Sequence, residues 1–246
     1  METLLQISQQ HTNTPESHTY IKNYFDDQVN SMPELKAHRD WVEANIFGFG
    51  ERSFHYMWHL LVSEMPKRFS FLEIGVFRGQ VLSLIQLLAD IQNKKCIRYG
   101  VTPLDSSDGH WESDYRKDIE TMHSQFNLKQ DYELFVGLST DAKIIDTVFK
   151  NVAKVDLLYI DGGHTYETVK SDIENYLPLL KVGGYLIIDD CANRFNLPTG
   201  YFAGIDTVSK ATDEVLPPFH YNPQFQYLFN VVHNRIWIKL KTTQKI

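Results

Sequence analysis

The chain has 246 residues, 43% hydrophobic and 22% charged. That ordinary globular balance excludes disorder as the main state and is long enough for a full core. Lys and Arg number 24 against 31 Asp and Glu, a formal net charge of −7, which argues against a nucleic-acid partner but not against an anionic small molecule in a local basic pocket. The two cysteines, Cys96 and Cys191, lie outside any C-x-x-C, the start lacks a basic and then apolar leader, and no run of about 18 apolar residues occurs. The expectation is a cytoplasmic chain with no disulfide framework, no zinc ribbon and no membrane partner.

Residues 1 to about 45 are polar with weak periodicity, and Met32-Pro33-Glu34-Leu35 reads as a turn entering a short helix. The segment 1–50 is expected to be a helical extension or lid, ahead of a main domain over 51–246. Gly48-Phe49-Gly50 is a loop by its glycines. Ser53 to Met65 carries apolar residues at helical spacing, and Pro66 ends it. Phe69 to Ile74 then reads as a buried strand, and Gln80 to Asn93 as a helix with Val81, Leu84, Ile85, Leu88 and Ile91 on one face. A second strand covers Cys96 to Val101, a polar helix Trp111 to Gln125, a third strand Tyr132 to Gly137, and a short helix Ala142 to Phe149. The fourth strand is Val155 to Ile160, and the helix Thr165 to Leu180 follows, its last turn loosened by Pro178. Val182-Gly183-Gly184 turns into a fifth strand, Tyr185 to Ile188, and the chain closes on two strands, Tyr227 to Val232 and Ile236 to Leu240. Alternation of strands and helices predicts an α/β fold: a Rossmann-like, doubly wound, mostly parallel sheet with a C-terminal antiparallel hairpin.

In such a sheet ligands sit beyond the carboxyl ends of the strands, so the loops after each strand carry the chemistry. The first loop is Glu73-Ile74-Gly75-Val76-Phe77-Arg78-Gly79, whose glycines permit a tight turn ahead of a helix N-terminus. It lacks the G-x-G-x-x-G of dinucleotide binders, which disfavours a nicotinamide dehydrogenase. After the second strand, Asp105 is the acid available for a ribose; Thr102 holds the position directly after the strand. After the fourth and fifth strands come Asp161-Gly162-Gly163-His164 and Asp189-Asp190. Neighbouring strand ends can bring these three acids together, and close carboxylates repel unless neutralised. A hard divalent cation such as Mg²⁺ is the simplest partner, although Asp161 and Asp189 are also placed to cap a helix and a turn. His164 is a candidate general base. His55 and His59, spaced H-x-x-x-H without the glutamate of a metalloprotease, read as two faces of a packed helix.

The stretches Leu72–Gly79, Tyr159–His164 and Leu177–Asp190 resemble class I S-adenosylmethionine-dependent methyltransferases over residues 54 to 240. Within that superfamily the chain is similar to the group that includes the cephalosporin-biosynthesis and macrolide-sugar O-methyltransferases, and more distantly to catechol O-methyltransferase. The resemblance implies S-adenosyl-L-methionine as cofactor, with Glu73, Gly75, Val76, Arg78 and Gly79 along its methionine part. Asp105 would lie near the ribose, Gly137, Leu138 and Ser139 near the adenine, and Asp161 at both cofactor and metal. Asp161, Asp189 and Asp190 would hold Mg²⁺, and His164 would take the proton of a small-molecule hydroxyl, in a sugar or nucleotide-linked sugar by analogy. Phe54, Tyr56, Trp58 and Trp111 are candidates to stack on the acceptor, and the region 192–218, with Arg194, Tyr201 and Phe202, is expected to form part of its pocket. A metal-independent methyltransferase and a non-catalytic cofactor-binding partner subunit are the alternatives, and a homo-oligomer is compatible with the sequence.

Overall fold

Alternation along the central strands divides the apolar side chains between two faces. In the computed structural model, which describes residues 3–105, 112–218, 220 and 222–241, Leu157, Tyr159, Tyr185 and Ile187 enter one core. Leu158, Ile160, Leu186 and Ile188 enter the other. The strands are β1 (Arg68–Ile74), β2 (Lys95–Thr102), β3 (Tyr132–Val136), β4 (Val155–Ile160), β5 (Leu180–Ile188), β6 (Phe225–Val231) and β7 (Asn234–Lys239). Their order is β3-β2-β1-β4-β5-β7-β6, the first five parallel and β7 antiparallel to both β5 and β6. This is the expected doubly wound sheet with its closing hairpin.

Helices α1 (Leu4–Gln10), α2 (Pro15–Ser31), α3 (Pro33–Asn45), α4 (Ser53–Glu64), α5 (Gln80–Ile91) and α6 (Tyr115–Gln125) contribute side chains to the first core; α7 (Ala142–Asn151), α8 (Tyr166–Tyr176) and α9 (Asp206–Val215) contribute to the second. None of the described helices is long and apolar enough to cross a membrane. Trp111, expected to begin the sixth of these, lies outside the described residues; the helix starts at Tyr115 under an Asp114 cap.

The N-terminal segment is more ordered than its weak periodicity suggests. Thr3 and Gln6 form a reciprocal capping box, and Thr14 caps α2 with Pro15 at its first position. Along α2, Ile21, Phe25 and Val29 stand at i, i+4 and i+8, and Phe25 meets Tyr56 of α4 edge-on at 5.1 Å. Both belong to the same core as Phe71 and Ile187 of the sheet. Burying one such phenylalanine contributes about 1.5–3 kcal/mol. Helix α9 was not apparent in the sequence, because its buried face consists of Val208, Ser209, Ala211 and Thr212, residues too small or polar to print an apolar stripe. The helix expected over 165–180 ends as a 3-10 turn at Leu177–Leu179, where Pro178 withdraws a donor. Strand β5 begins earlier than expected, at Leu180, and its Gly183-Gly184 pair lies within a register irregularity against β4.

His55 and His59 do not converge on a common point. His55 Nε2 lies 2.9 Å from His38 Nδ1, whose other nitrogen is 3.0 Å from Ser83 Oγ, while His59 meets Gln92. His123 donates from Nδ1 to the Ile119 carbonyl and presents Nε2 to Arg98 at 2.7 Å. His38, His55 and His123 have no exposed surface. Burial holds their pKa values down, to about 3 for His38, about 4 for His123, and well below the ordinary value for His55. The folded state keeps these imidazoles neutral, whereas the unfolded chain protonates them near pH 6.5. Their contribution is therefore complete above pH 6.5 and is lost as pH falls toward 4. Urea unfolding across that window is expected to show stability declining by about 1.4 kcal/mol per pH unit for each histidine kept neutral. A flat profile would contradict this.

Candidate active site

Register sets the site. Ile74 pairs with Ile160, and Ile160 with Ile188, so β1, β4 and β5 end level with one another. The backbone continues the ladder one residue further: Asp161 N donates to Ile74 O at 2.8 Å and Asp189 N to Ile160 O at 3.0 Å. On the other side Gly75 N donates to Val101 O and Gly137 N to Thr102 O. The strand order reverses between β1 and β4, and a cavity of about 630 Å³ opens there, at the carboxyl ends of the strands.

The acids form one group at an end of this cavity. Tyr159 Oη donates to Asp189 Oδ2 at 2.6 Å and lies 3.1 Å from Asp161 Oδ2, between the two carboxylates. Burial keeps this phenol protonated, its pKa well above the ordinary value. Asp190, in a left-handed conformation at φ 54°, has its amide on Asp189 Oδ1. His164 Nε2 stands 3.6 Å from Asp190 and 4.0 Å from Asp161. His233 Nε2 stands 3.3 Å from Asp189 and 3.7 Å from Asp190, and ligand atoms of Asp189, Asp190 and His233 all fall within 4.8 Å of one another. Asn234 Nδ2 donates to Asp189 Oδ1 at 2.8 Å. Burial, and then repulsion from Asp189, push the Asp161 carboxyl up; the same two causes raise Asp190 to about 7. The Asp161 carboxylate 4.0 Å away raises His164 in turn. A cation among these groups would reverse the carboxylate shifts.

The sequence did not single out His233, Tyr159 or Asn234. His233 reads as the connection of a hairpin, and only the antiparallel pairing of Arg235 with Ile188 brings that turn back beside Asp189. Its ring is 4% exposed, held edge-on between Phe54 and Phe202 at 4.8 and 5.1 Å. The helix α9 also serves the site, since Thr207 Oγ1 donates to the His164 carbonyl at 2.6 Å.

Most of the expected cofactor residues line the same cavity. Glu73, Gly75, Val76, Asp105, Gly137, Leu138, Ser139 and Asp161 are among them, as are Phe54, Trp58 and Phe202. Glu73 is buried with Oε2 unpartnered, and burial raises its pKa well above the carboxylate range. Arg78 turns away, pairing with Asp118 at 2.7 Å, donating to Ile46 O and covering the Phe47 ring, while Gly79 caps α5; neither lines the cavity. Arg194 also stands outside it, 3.4 Å from Asp213, and Tyr56 is buried against Phe25 and His59. Gly48, Phe49 and Gly50 contribute a wall that the sequence did not assign.

Residues 72–191 match a family model described as a methyltransferase domain. The uncharacterized protein R132 of Acanthamoeba polyphaga mimivirus is 29% identical over 171 residues, 67% of this chain and 70% of that one. Among solved structures, CalS11, a TDP-rhamnose 3'-O-methyltransferase of calicheamicin biosynthesis, superposes with a TM-score of 0.53 at 15% identity, covering 92% of this chain and 95% of its own. MycE, a methyltransferase of the mycinamycin pathway solved with Mg and S-adenosylhomocysteine, superposes with a TM-score of 0.51 at 15% identity over 80% of this chain and 52% of its own. At that identity the likeness is one of fold. The sheet order and the family match together define a class I S-adenosylmethionine-dependent methyltransferase fold of the kind small-molecule O-methyltransferases use.

Gly75 offers a direct check of the role expected for the loop after β1. Its φ is +92°, and a Cβ there would fall 1.9 Å from the Asp161 carbonyl oxygen. Gly75→Ala is therefore expected to move the Asp161 backbone and abolish S-adenosylmethionine binding in calorimetry, with a lowered Tm. Wild-type affinity in that variant would refute the placement of the loop.

Proposed function

We propose that the chain is an O-methyltransferase that moves the methyl group of S-adenosylmethionine to a hydroxyl of a small molecule, with a divalent cation, Mg²⁺ first, at Asp161, Asp189 and Asp190. The observation that carries this reading is the convergence of those acids with His164 at one end of the cavity whose other walls are the Gly75 and Gly137 loops. The residues fit a cation: three carboxylates, two of them raised by burial and then by repulsion from Asp189, offer oxygen ligands suited to Mg²⁺, and His233 adds a nitrogen beside them. When bound, the ion supplies a positive charge that lowers the pKa of the acceptor hydroxyl.

The chain's own residues do the rest. The Gly75–Phe77 loop and the Gly137–Ser139 loop hold the two ends of the cofactor, and Asp105 receives the ribose hydroxyls. Glu73, enclosed behind Gly75, faces the cationic methionine end. His164 Nε2 accepts the hydroxyl proton as the acceptor oxygen bonds to the methyl carbon. The C–S bond breaks, its electron pair stays on sulfur, and neutral S-adenosylhomocysteine remains. Tyr159 keeps Asp161 and Asp189 at fixed separation throughout. Alignment of oxygen, carbon and sulfur accounts for most of the remaining acceleration.

A sugar or nucleotide-linked sugar is the acceptor class. Its support is the acceptor of CalS11 together with the aromatic wall of Phe54, Trp58 and Phe202, which gives apolar faces to a ring beside the acids. The helical extension 1–50 completes that wall through Gly48, Phe49 and Gly50 against the catalytic domain 51–246.

Titration of S-adenosylmethionine is expected to show binding with Mg²⁺ and with EDTA alike, while methyl transfer to a nucleotide-sugar panel stops in EDTA and returns with Mg²⁺. Absence of cofactor binding in both conditions would sink the reading, and full activity in EDTA would favour the metal-independent alternative. His164→Ala is expected to lower kcat by about 10²–10⁴ with cofactor affinity unchanged.

A further inference from the structure

Asp172 is a carboxylic acid shielded from solvent and, among the described residues, without an ion pair. It has no exposed surface, lies in the middle of α8, and neither oxygen has a partner at full hydrogen-bond geometry. A leucine there would bury without the desolvation cost that a carboxyl carries. Its surroundings indicate what the carboxyl does. Oδ2 lies 2.9 Å from where a Cβ of Gly162 would be, so the side chain is packed against the loop that carries Asp161 and His164. Ser139, in the loop after β3, is the nearby polar group that holds the Asp172 pKa back against its burial, which raises it to about 7.

Two neighbours on the same helix face reach the same pair of loops. One turn before, Thr168 lines the cavity, and its Cγ2 is 3.0 Å from where a Cβ of Gly163 would be. One turn after, Tyr176, fully buried, donates its hydroxyl to the Ser139 carbonyl at 2.8 Å. Positions 168, 172 and 176 thus form one stripe, with spacing i, i+4 and i+8, set beneath two loops from different strands. Asp172 is the middle of that stripe and the member whose polar atoms face both loops.

We infer that Asp172 is a positioning residue that ties the adenine-side loop Gly137–Thr140 to the Asp161–His164 loop, so that S-adenosylmethionine affinity depends on it while the transfer step does not. The inference rests on the cofactor reading above. Asp172 is outside the cavity lining, so it acts through Ser139 and the Gly162 backbone.

The test compares Asp172→Leu and Asp172→Asn with the wild-type full chain by S-adenosylmethionine calorimetry and by steady-state kinetics. Asp172→Leu is expected to raise the cofactor Kd and KM about tenfold or more with kcat at saturating cofactor within about twofold, and Asp172→Asn, which keeps shape and polarity, to stay within about threefold of wild type. A folded Asp172→Leu protein with unchanged Kd, or one that loses kcat at unchanged KM, overturns the inference. Should Asp172→Leu not fold, a double-mutant cycle of Asp172→Asn with Ser139→Ala decides. Non-additive effects on cofactor Kd are expected, and additive ones overturn it. Failure of the wild type to bind S-adenosylmethionine would instead sink the cofactor reading, so the two failures are distinguishable.

Discussion

Three isoleucines abreast, Ile74, Ile160 and Ile188, are the constraint on which the site depends. Because β1, β4 and β5 are parallel and in step, the residues that follow them leave the sheet together: Gly75, Asp161 and Asp189. A slip of one residue in β4 would turn Tyr159 and Asp161 to the opposite face and exchange Leu158 and Ile160 between the two cores. The apolar alternation of each strand therefore fixes where the acids point. The hydrophobic cores and the carboxylate group are two consequences of the same register.

That register forces like charges together, and the surrounding structure absorbs the cost. The Tyr159 phenol donates to Asp189 and lies 3.1 Å from Asp161, Asn234 donates to Asp189, and both His164 and His233 stand beside Asp190. The backbone is equally committed. A Cβ at Gly204 would fall 2.2 Å from the Asp190 carbonyl oxygen, and Ile205 N donates to that oxygen at 2.8 Å, so the loop leading into α9 is seated directly against Asp190. Helix α9 then reaches His164 through Thr207. Raised carboxyl pKa values persist in such a setting because both the solvent and the freedom to separate have been removed. The same enclosure makes any charge held there strongly felt by a neighbouring group.

The sheet was readable from strand periodicity because its central strands are nearly all apolar and bounded by Gly, Pro and Asp. The loops that follow them were readable for the same reason, so Glu73, Gly75, Asp105, Ser139, Asp161, His164, Asp189 and Asp190 could be named in advance, and all line one cavity. Elements whose burial is achieved by small or polar residues were not readable. Helix α9 shows no stripe, and α2 buries His18 among its apolar residues. Arg78 illustrates a different limit: it belongs to the glycine loop by sequence, yet Asp118 and Phe47 draw its guanidinium to the far side.

The sequence by itself determined the α/β alternation, the glycine turn at Gly75, and the acids at the ends of the fourth and fifth strands. These are local matters, set by side-chain period, backbone freedom and position relative to a strand end. Only the tertiary structure decided that His233, more than 40 residues beyond Asp190, faces the same carboxylates, that Phe49 walls the cavity, and that Asp172 lies buried beneath two loops. Those placements come from an antiparallel return of the chain, from a helix docked on the sheet and from the N-terminal helices sharing its core. Each is a contact between segments far apart in sequence, which no local pattern encodes.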